Sequence, residues 1–150
     1  MSKPLPNCSI VEISALIKSQ SVKVIDVVEQ CLTKISNLND SLNAFIAISA
    51  NSAREAAIFF DSEIADGKYR GPLHGIPISV KDIINVAGTA TTAASHVRTT
   101  TPSITDAPLI TRLRSAGAII IGKCNMHEFA FGTTGEDSAF GPTRNPHDLE

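Results

Sequence analysis

The sequence has little of what marks a nucleic-acid-binding, membrane or secreted protein. Thirteen Lys and Arg residues stand against fifteen Asp and Glu, for a net charge of −2. The basic residues are scattered and never form a cluster of five. Non-specific nucleic-acid binding rests on dense Lys and Arg neutralising phosphates, so no direct nucleic-acid partner is expected. The longest apolar stretches, such as 44–48 and 118–122, fall far short of the roughly 20 residues a membrane helix needs. The start, Met1-Ser-Lys-Pro-Leu-Pro-Asn-Cys8, has no apolar run behind its charge, which argues against a secretory signal. Cysteine is scarce too, with three residues (Cys8, Cys31 and Cys124) at wide, unpatterned spacings. An odd count without a pattern fits reduced thiols in a cytoplasm better than a disulfide framework. What remains, 43% apolar and 19% charged over 150 residues, suits one soluble globular core.

The first third of the chain carries helical periodicity. Ser9-Ile-Val-Glu12 reads as a capping box, in which the serine oxygen takes an orphan N–H and the glutamate reaches back. Ile10, Ile13, Leu16 and Ile17 then recur at helical spacing. A second helix is predicted from about Val22 to Leu38, with Val24, Val27, Val28, Cys31, Ile35 and Leu38 on one stripe. Cys31 on that stripe reads as a buried structural thiol rather than a nucleophile. Leu42–Ser49 contains Phe45, Ile46 and Ile48 in a short apolar run and is predicted to be a strand. Ser52-Ala-Arg-Glu55 has the pattern of another capping box, opening an alanine-rich helix that Gly67 closes in a left-handed conformation.

Composition changes at Lys68. Glycines and prolines now punctuate the chain, and short β-branched runs replace the helices. Ile76–Val80 reads as a buried strand entered through Pro77, and Gly88–Thr105 as a Thr/Ser/Ala-rich connection. Asp106 can cap a helix with Pro108 in its first turn, ending at Gly117. Ala118–Ile121 reads as an inner, parallel-type strand. Asn125 is placed to cap one short helical turn, and Gly132–Glu150 is loop-like. Helix and strand alternate, which predicts an α/β protein with a sheet flanked by helices.

Several stretches in fixed order resemble the amidase signature family. They are Gly71-Pro-Leu-His-Gly-Ile-Pro-Ile-Ser-Val-Lys-Asp82, then Ala87-Gly-Thr-Ala-Thr-Thr92. The long run Arg112-Leu-Arg-Ser-Ala-Gly-Ala-Ile-Ile-Ile-Gly-Lys-Cys-Asn-Met-His-Glu-Phe-Ala-Phe-Gly-Thr-Thr-Gly135 follows, and Asp137-Ser-Ala-Phe-Gly-Pro-Thr-Arg-Asn-Pro146 continues it. The similarity extends from about Ser9 to Glu150. It implies the N-terminal part of one amidase domain, with 1–67 mainly helical and 68–150 the start of a mixed-sheet α/β core. The domain is expected to be incomplete at the C-terminus, because the family's Gly- and Ser-rich segment would come next. The resemblance further implies a Ser–cis-Ser–Lys triad, with Lys81 as its base. A carboxamide would be cleaved through an acyl-serine intermediate, needing neither metal nor organic cofactor. The bridging and nucleophilic serines of that triad belong to the missing segment, and no Gly-Gly-Ser-Ser occurs in this sequence. The 150-residue chain alone is therefore expected to be inactive.

Lys81 closes the Ile76–Val80 strand. An ammonium held at the end of a buried strand loses hydration, which disfavours its charged form and suits it to accept a proton from a serine. Asp82 either pairs with Lys81 and holds it charged or caps the next turn; the cap is the preferred reading. Phe131, Gly132, Thr133 and Thr134 match a family stretch beside the acyl-binding pocket. A glycine-flanked pair of threonines can approach a substrate backbone and offer hydroxyls, although an ordinary surface turn looks the same. Ser79 shares a strand face with Lys81 but has no family role to carry over. Gly117–Cys124 nearly fits a phosphate-binding loop, yet its four central residues read as an apolar strand. His74, His96, His127 and His147 are spaced too widely for a metal pair, and Cys124 with His127 is half a site.

Two rival readings stand beside the amidase. One is a non-catalytic truncated relative acting as an interaction partner. The other is the glutaminase subunit of a tRNA amidotransferase. A small-molecule amide is the expected partner. An exposed apolar face on the second helix makes a homodimer plausible, and unpaired strand edges at 76–80 and 118–121 predict poor solubility.

Overall fold

The computed structural model of the chain describes residues 5, 8–98 and 100–149. The leading Met1–Pro4 stretch read for a signal, with Pro6, Asn7, Thr99 and the terminal Glu150, lies outside them. The described elements run α1 (Ile10–Lys18), α2 (Val24–Leu42), β1 (Phe45–Ile48), α3 (Ala50–Ala65), β2 (Pro77–Lys81), α4 (Pro108–Ser115) and β3 (Ile119–Cys124). A 3-10 turn follows at Glu128–Ala130. The three strands form one sheet in the order β1-β3-β2. β1 is antiparallel to β3, pairing Phe45 with Cys124 and Ile48 with Gly122. β2 runs parallel to β3, since Ile119 N–H donates to the Ile76 carbonyl and Asp82 N–H to the Cys124 carbonyl. The sheet is therefore mixed, and β3 is its inner strand.

The chain divides into two compact units. One comprises Met1–Ile35, Ser49–Ile78 and Arg112–Ile121; the other comprises Ser36–Ile48, Ser79–Thr111 and Gly122–Glu150. In the first unit the Ser9 capping box forms as its local sequence dictates, with Ser9 Oγ accepting from Glu12 N–H and Ser9 N–H donating to the Glu12 carboxylate. α2 starts two residues later than its periodicity suggests, for a reason the local sequence does not contain. Asp61, on α3, accepts the N–H groups of Val24 and Ile25 at 2.7 and 3.1 Å and so caps α2 from outside. Orphan donors at a helix start are commonly satisfied by such a carboxylate, which also faces the positive end of the helix dipole.

The buried stripe of α2 is Val24, Val27, Val28 and Leu32. Removing each of these from water contributes about 1.5–3 kcal/mol. Leu38, expected on that stripe, is exposed, and Cys31 is half-buried. Burial still pushes the Cys31 thiol above its ordinary value. All three cysteines are free thiols.

α3 begins at Ala50, so the expected capping box at Ser52 does not open it. Ser52 already lies inside the helix, and its hydroxyl donates to the Ser49 carbonyl instead. The C-terminal end does follow the sequence. Gly67 has φ +76°, Gly67 N–H donates to Ile64 O, and Lys68 N–H reaches back to Glu63 O. These are the two bonds of a Schellman motif, whose left-handed position favours glycine.

α4 opens on Pro108, but the carboxylate of Asp106 accepts the Ala87 N–H at 2.7 Å and so ties down the 87–106 connection. Asn125 does not cap the 3-10 turn. Its side-chain oxygen accepts from Met126 N–H and from the Ser138 hydroxyl, and His127 occupies the position before the turn.

Glu63 and Arg70 form a two-pronged ion pair, each N···O distance being 2.7 Å. Hydrogen bonding from the guanidinium holds the Glu63 carboxyl below its ordinary value of 4.5. Arg54 does the same for Glu29. A carboxyl with a lowered folded-state value stabilises the fold above about pH 4.5, and that contribution is lost as pH falls through the folded value. Melting temperature followed by circular dichroism from pH 7 to pH 3 should therefore drop in the wild type. Glu63→Gln is expected to start lower at pH 7 and to fall less steeply. Parallel curves would show that this pair contributes nothing.

Candidate active site

The side chains of the candidate site all belong to the second unit. Strand β2 alternates. Val80 and Asp82 point into the core, whereas Ser79 and Lys81 point outward and are exposed. This is the period-two geometry of a strand with one covered face. The reading of β2 as buried throughout is corrected by it: one face is open, and Lys81 stands on that face. No side-chain hydrogen bond or ion pair joins Lys81 to another of the described residues.

Asp82 neither pairs with Lys81 nor caps the next turn. Its Oδ1 lies 2.7 Å from Nζ of Lys123, and both side chains are only 1% exposed. Its Oδ2 accepts the Thr92 N–H at 3.0 Å and the Thr92 hydroxyl in a short hydrogen bond. Lys123 Nζ also donates to the Ala90 carbonyl and to the Thr91 hydroxyl, both at 3.1 Å. Three donors thus meet three acceptors, which is what an ammonium withdrawn from water requires. The near-match to a phosphate loop is resolved in the same place. Residues 119–124 are strand, and the lysine of the pattern is spent on Asp82.

Lys123 is the residue that sequence reasoning missed. Its signal was a cation in phase with the apolar run of an inner strand, Ile119-Ile120-Ile121, where a charge is tolerated only with a buried partner. Asp82 was the only acid on the inward phase of β2.

From this pair the structure extends to the Thr91–Ser95 segment. Asp82 O accepts from Ala93 N–H at 2.9 Å, and Thr92 Oγ1 accepts from Ala94 N–H at 3.2 Å. Ala93 and Ala94 both adopt left-handed conformations, φ 54° and 56°, and are buried. Their carbonyls face the 127–139 loop, where they accept from Phe129 N–H and Ala139 N–H, each at 2.9 Å.

That loop carries the four residues read as substrate contacts. Phe131 is 95% exposed, Thr133 and Thr134 are exposed, and Gly132 is half-buried. At Gly132 a Cβ would overlap the ring of His127, so the close packing of that ring calls for glycine there. Thr134 Oγ1 donates to Glu136 at 3.2 Å. Among the described residues no group of three or more His, Cys, Asp or Glu is disposed to hold a metal. No helix there is long and apolar enough to cross a membrane.

The sequence profile of the amidase family matches residues 26–150. The chain belongs to the amidase family. It is similar to a glutamyl-tRNA(Gln) amidotransferase subunit of Cutibacterium acnes, with 40% identity over 139 residues, covering 93% of this chain and 28% of that protein. Its fold matches a solved structure described as a vestigial protein complex that reveals the evolutionary origins of an s-triazine catabolic enzyme. There the TM-score is 0.90 at 40% identity, over 95% of this chain and 31% of that one. It also matches the native peptide amidase of Stenotrophomonas maltophilia, with TM-score 0.89 and 34% identity over 97% of this chain and 31% of that one. This amidase-family chain therefore spans about 30% of the length of the relatives it matches.

Breaking a buried ion pair leaves an uncompensated charge, whereas removing both partners does not. Lys123→Met should destabilise the chain by about 3–5 kcal/mol, read from urea denaturation. Lys123→Met combined with Asp82→Asn is expected to recover part of that loss. A double variant as unstable as the sum of the two single ones would mean that the pair does not interact.

Proposed function

We propose that this amidase-family chain contributes Lys81 as the proton acceptor of a carboxamide-hydrolysing site. The observation that carries this reading is the commitment of Asp82 to Lys123 and Thr92. Because the adjacent carboxylate is taken, the Lys81 amine stays out of an ion pair on the open face of β2, where a serine hydroxyl can meet it. A base must come within hydrogen-bond reach of the proton it removes, and a carboxylate paired with a lysine favours its protonated form, which cannot accept one. The triad implied by the family resemblance would then run from a nucleophilic serine through a bridging serine to Lys81. The proton taken from the serine would pass through Lys81 to the leaving amine as the C–N bond breaks and the acyl-serine forms; water would then attack that ester, releasing the acid and returning a proton to the serine oxygen.

Neither serine segment occurs within these 150 residues. Lys81 is exposed here, and the loss of hydration that makes a lysine an effective base would require its open face to be covered. Phe131, Gly132, Thr133 and Thr134 are assigned to the acyl side of the substrate; Phe131, Thr133 and Thr134 are exposed. The reaction so described calls on no metal or organic cofactor.

A second reading, a glutamine-hydrolysing subunit of a tRNA amidotransferase, is favoured by the curated relatives at about 40% identity that carry the name of a glutamyl-tRNA(Gln) amidotransferase. Both readings share the chemistry at Lys81 and differ in the amide supplied.

The test uses the 150-residue chain and the complete product of its gene, assayed with simple carboxamides and with glutamine, the latter with and without amidotransferase partner subunits. The chain alone should give no turnover. In the complete protein, Lys81→Ala should lower kcat by about 10²–10⁴-fold, the usual contribution of a positioned general base. Turnover by the 150-residue chain that Lys81→Ala abolishes would contradict the need for an outside serine. A complete protein indifferent to Lys81→Ala would remove Lys81 from catalysis.

A further inference from the structure

We propose that the buried Asp82–Lys123 pair is a positioning device. Through Thr92 and the left-handed Ala93–Ala94 segment it fixes the loop that carries Phe131 to Thr134. The inference deepens the reading above, because the loop's importance rests on its assignment to the substrate.

The chain of contacts is continuous. Lys123 Nζ holds Asp82 Oδ1 at 2.7 Å, and Asp82 Oδ2 holds Thr92 by its N–H and its hydroxyl. The Thr92 hydroxyl oxygen in turn accepts Ala94 N–H. Ala93 N–H is taken by the carbonyl of Asp82 itself. Two consecutive alanines in the left-handed region are unfavourable on their own, since their Cβ atoms crowd the following carbonyls. Such residues persist only where the surroundings over-determine them. Here the surroundings are one carboxylate and one hydroxyl. The benefit of the unusual conformation is directional, for it turns the carbonyls of Ala93 and Ala94 to meet Phe129 N–H and Ala139 N–H. Those two bonds hold the 127–139 loop near each end. Phe129 and Ala130 are themselves left-handed, with φ 51° and 59°, so the loop's path is strained where it is gripped.

Lys81 and Asp82 are neighbours in the chain, so the same ion pair that leaves Lys81 unpaired also sets the substrate loop. Asp82, Thr92 and Lys123 are positioning residues: none is exposed to meet a substrate.

The experiment is native-state amide hydrogen exchange by NMR on the ¹⁵N-labelled 150-residue chain. In the wild type, with denaturant added in small steps, the amides of Thr92, Ala93, Phe129 and Ala139 should open as one unit, with a common free energy and slope. Thr92→Val removes the hydroxyl while keeping the shape. It should speed exchange at Phe129 and Ala139 by about tenfold, leaving α3 amides such as Ala57 unchanged. Thr92→Ser, which keeps the hydroxyl, should restore wild-type rates. Val86→Ala, a cavity in the same unit, should instead leave the ratio of the Phe129 rate to its neighbours' rates unaltered. Separate opening of the four amides in the wild type would overturn the proposal, even if Thr92→Val did not fold. Failure of Thr92→Ser to restore the rates would overturn it as well. None of these readouts involves amide hydrolysis, so a catalytic role for Lys81 can fail while the coupling stands, and the reverse.

Discussion

A carboxylate and an ammonium can leave water together only if each finds its full set of hydrogen-bonding partners, and the second unit of this chain is organised around one such pair. Asp82 and Lys123 are almost entirely buried and 2.7 Å apart. Neither could be accommodated alone, since an unpaired buried charge costs several kcal/mol. Their mutual requirement joins the end of β2 to the end of β3, where Asp82 N–H also meets the Cys124 carbonyl. It then recruits Ala90, Thr91 and Thr92 to satisfy what remains. A sequence segment with no regular secondary structure is thereby given a single path.

The consequence for chemistry lies in the alternation of a strand. Placing Asp82 inward places Lys81 outward, and the aspartate that could have neutralised the amine is already engaged. Membership of the amidase family, with solved relatives at TM-scores near 0.9, gives that outward lysine a plain context. Of the two lysines on β2 and β3, Lys123 is buried in an ion pair and Lys81 is exposed, and burial alone distinguishes them.

Much of the fold was legible where the determinants are local. The Ser9 capping box, the Gly67 stop, the short apolar run of β1 and the Pro108 helix start each depend on residues within one turn. The alternation of helix and strand predicted the α/β class, and the quoted motifs identified the family. What the sequence concealed depends on partners far away in the chain. The start of α2 is fixed by Asp61, 37 positions after Val24. Ser52 was overtaken as a cap because α3 begins at Ala50, two residues ahead of it. Leu32 rather than Leu38 joined the core: the fully buried residues of α2 all lie in its first half. At the candidate site the motif singled out Lys81 but did not foretell its exposure. Asp82 was misassigned because its partner, Lys123, lies 41 residues on. The packing of the His127 ring against Gly132, where a Cβ would not fit, was not visible from the motif either.

The division of labour between the two lysines can be measured directly by ¹H–¹⁵N NMR of their side-chain ammonium groups at neutral pH and room temperature. Exposed ammonium protons exchange with water too fast to be seen, whereas those held in a buried pair exchange slowly. Lys123 should give a visible ammonium signal that disappears in Asp82→Asn, and Lys81 should give none. A protected signal from Lys81, or none from Lys123, would show that Asp82 has chosen the other lysine and that Lys81 is not the free amine.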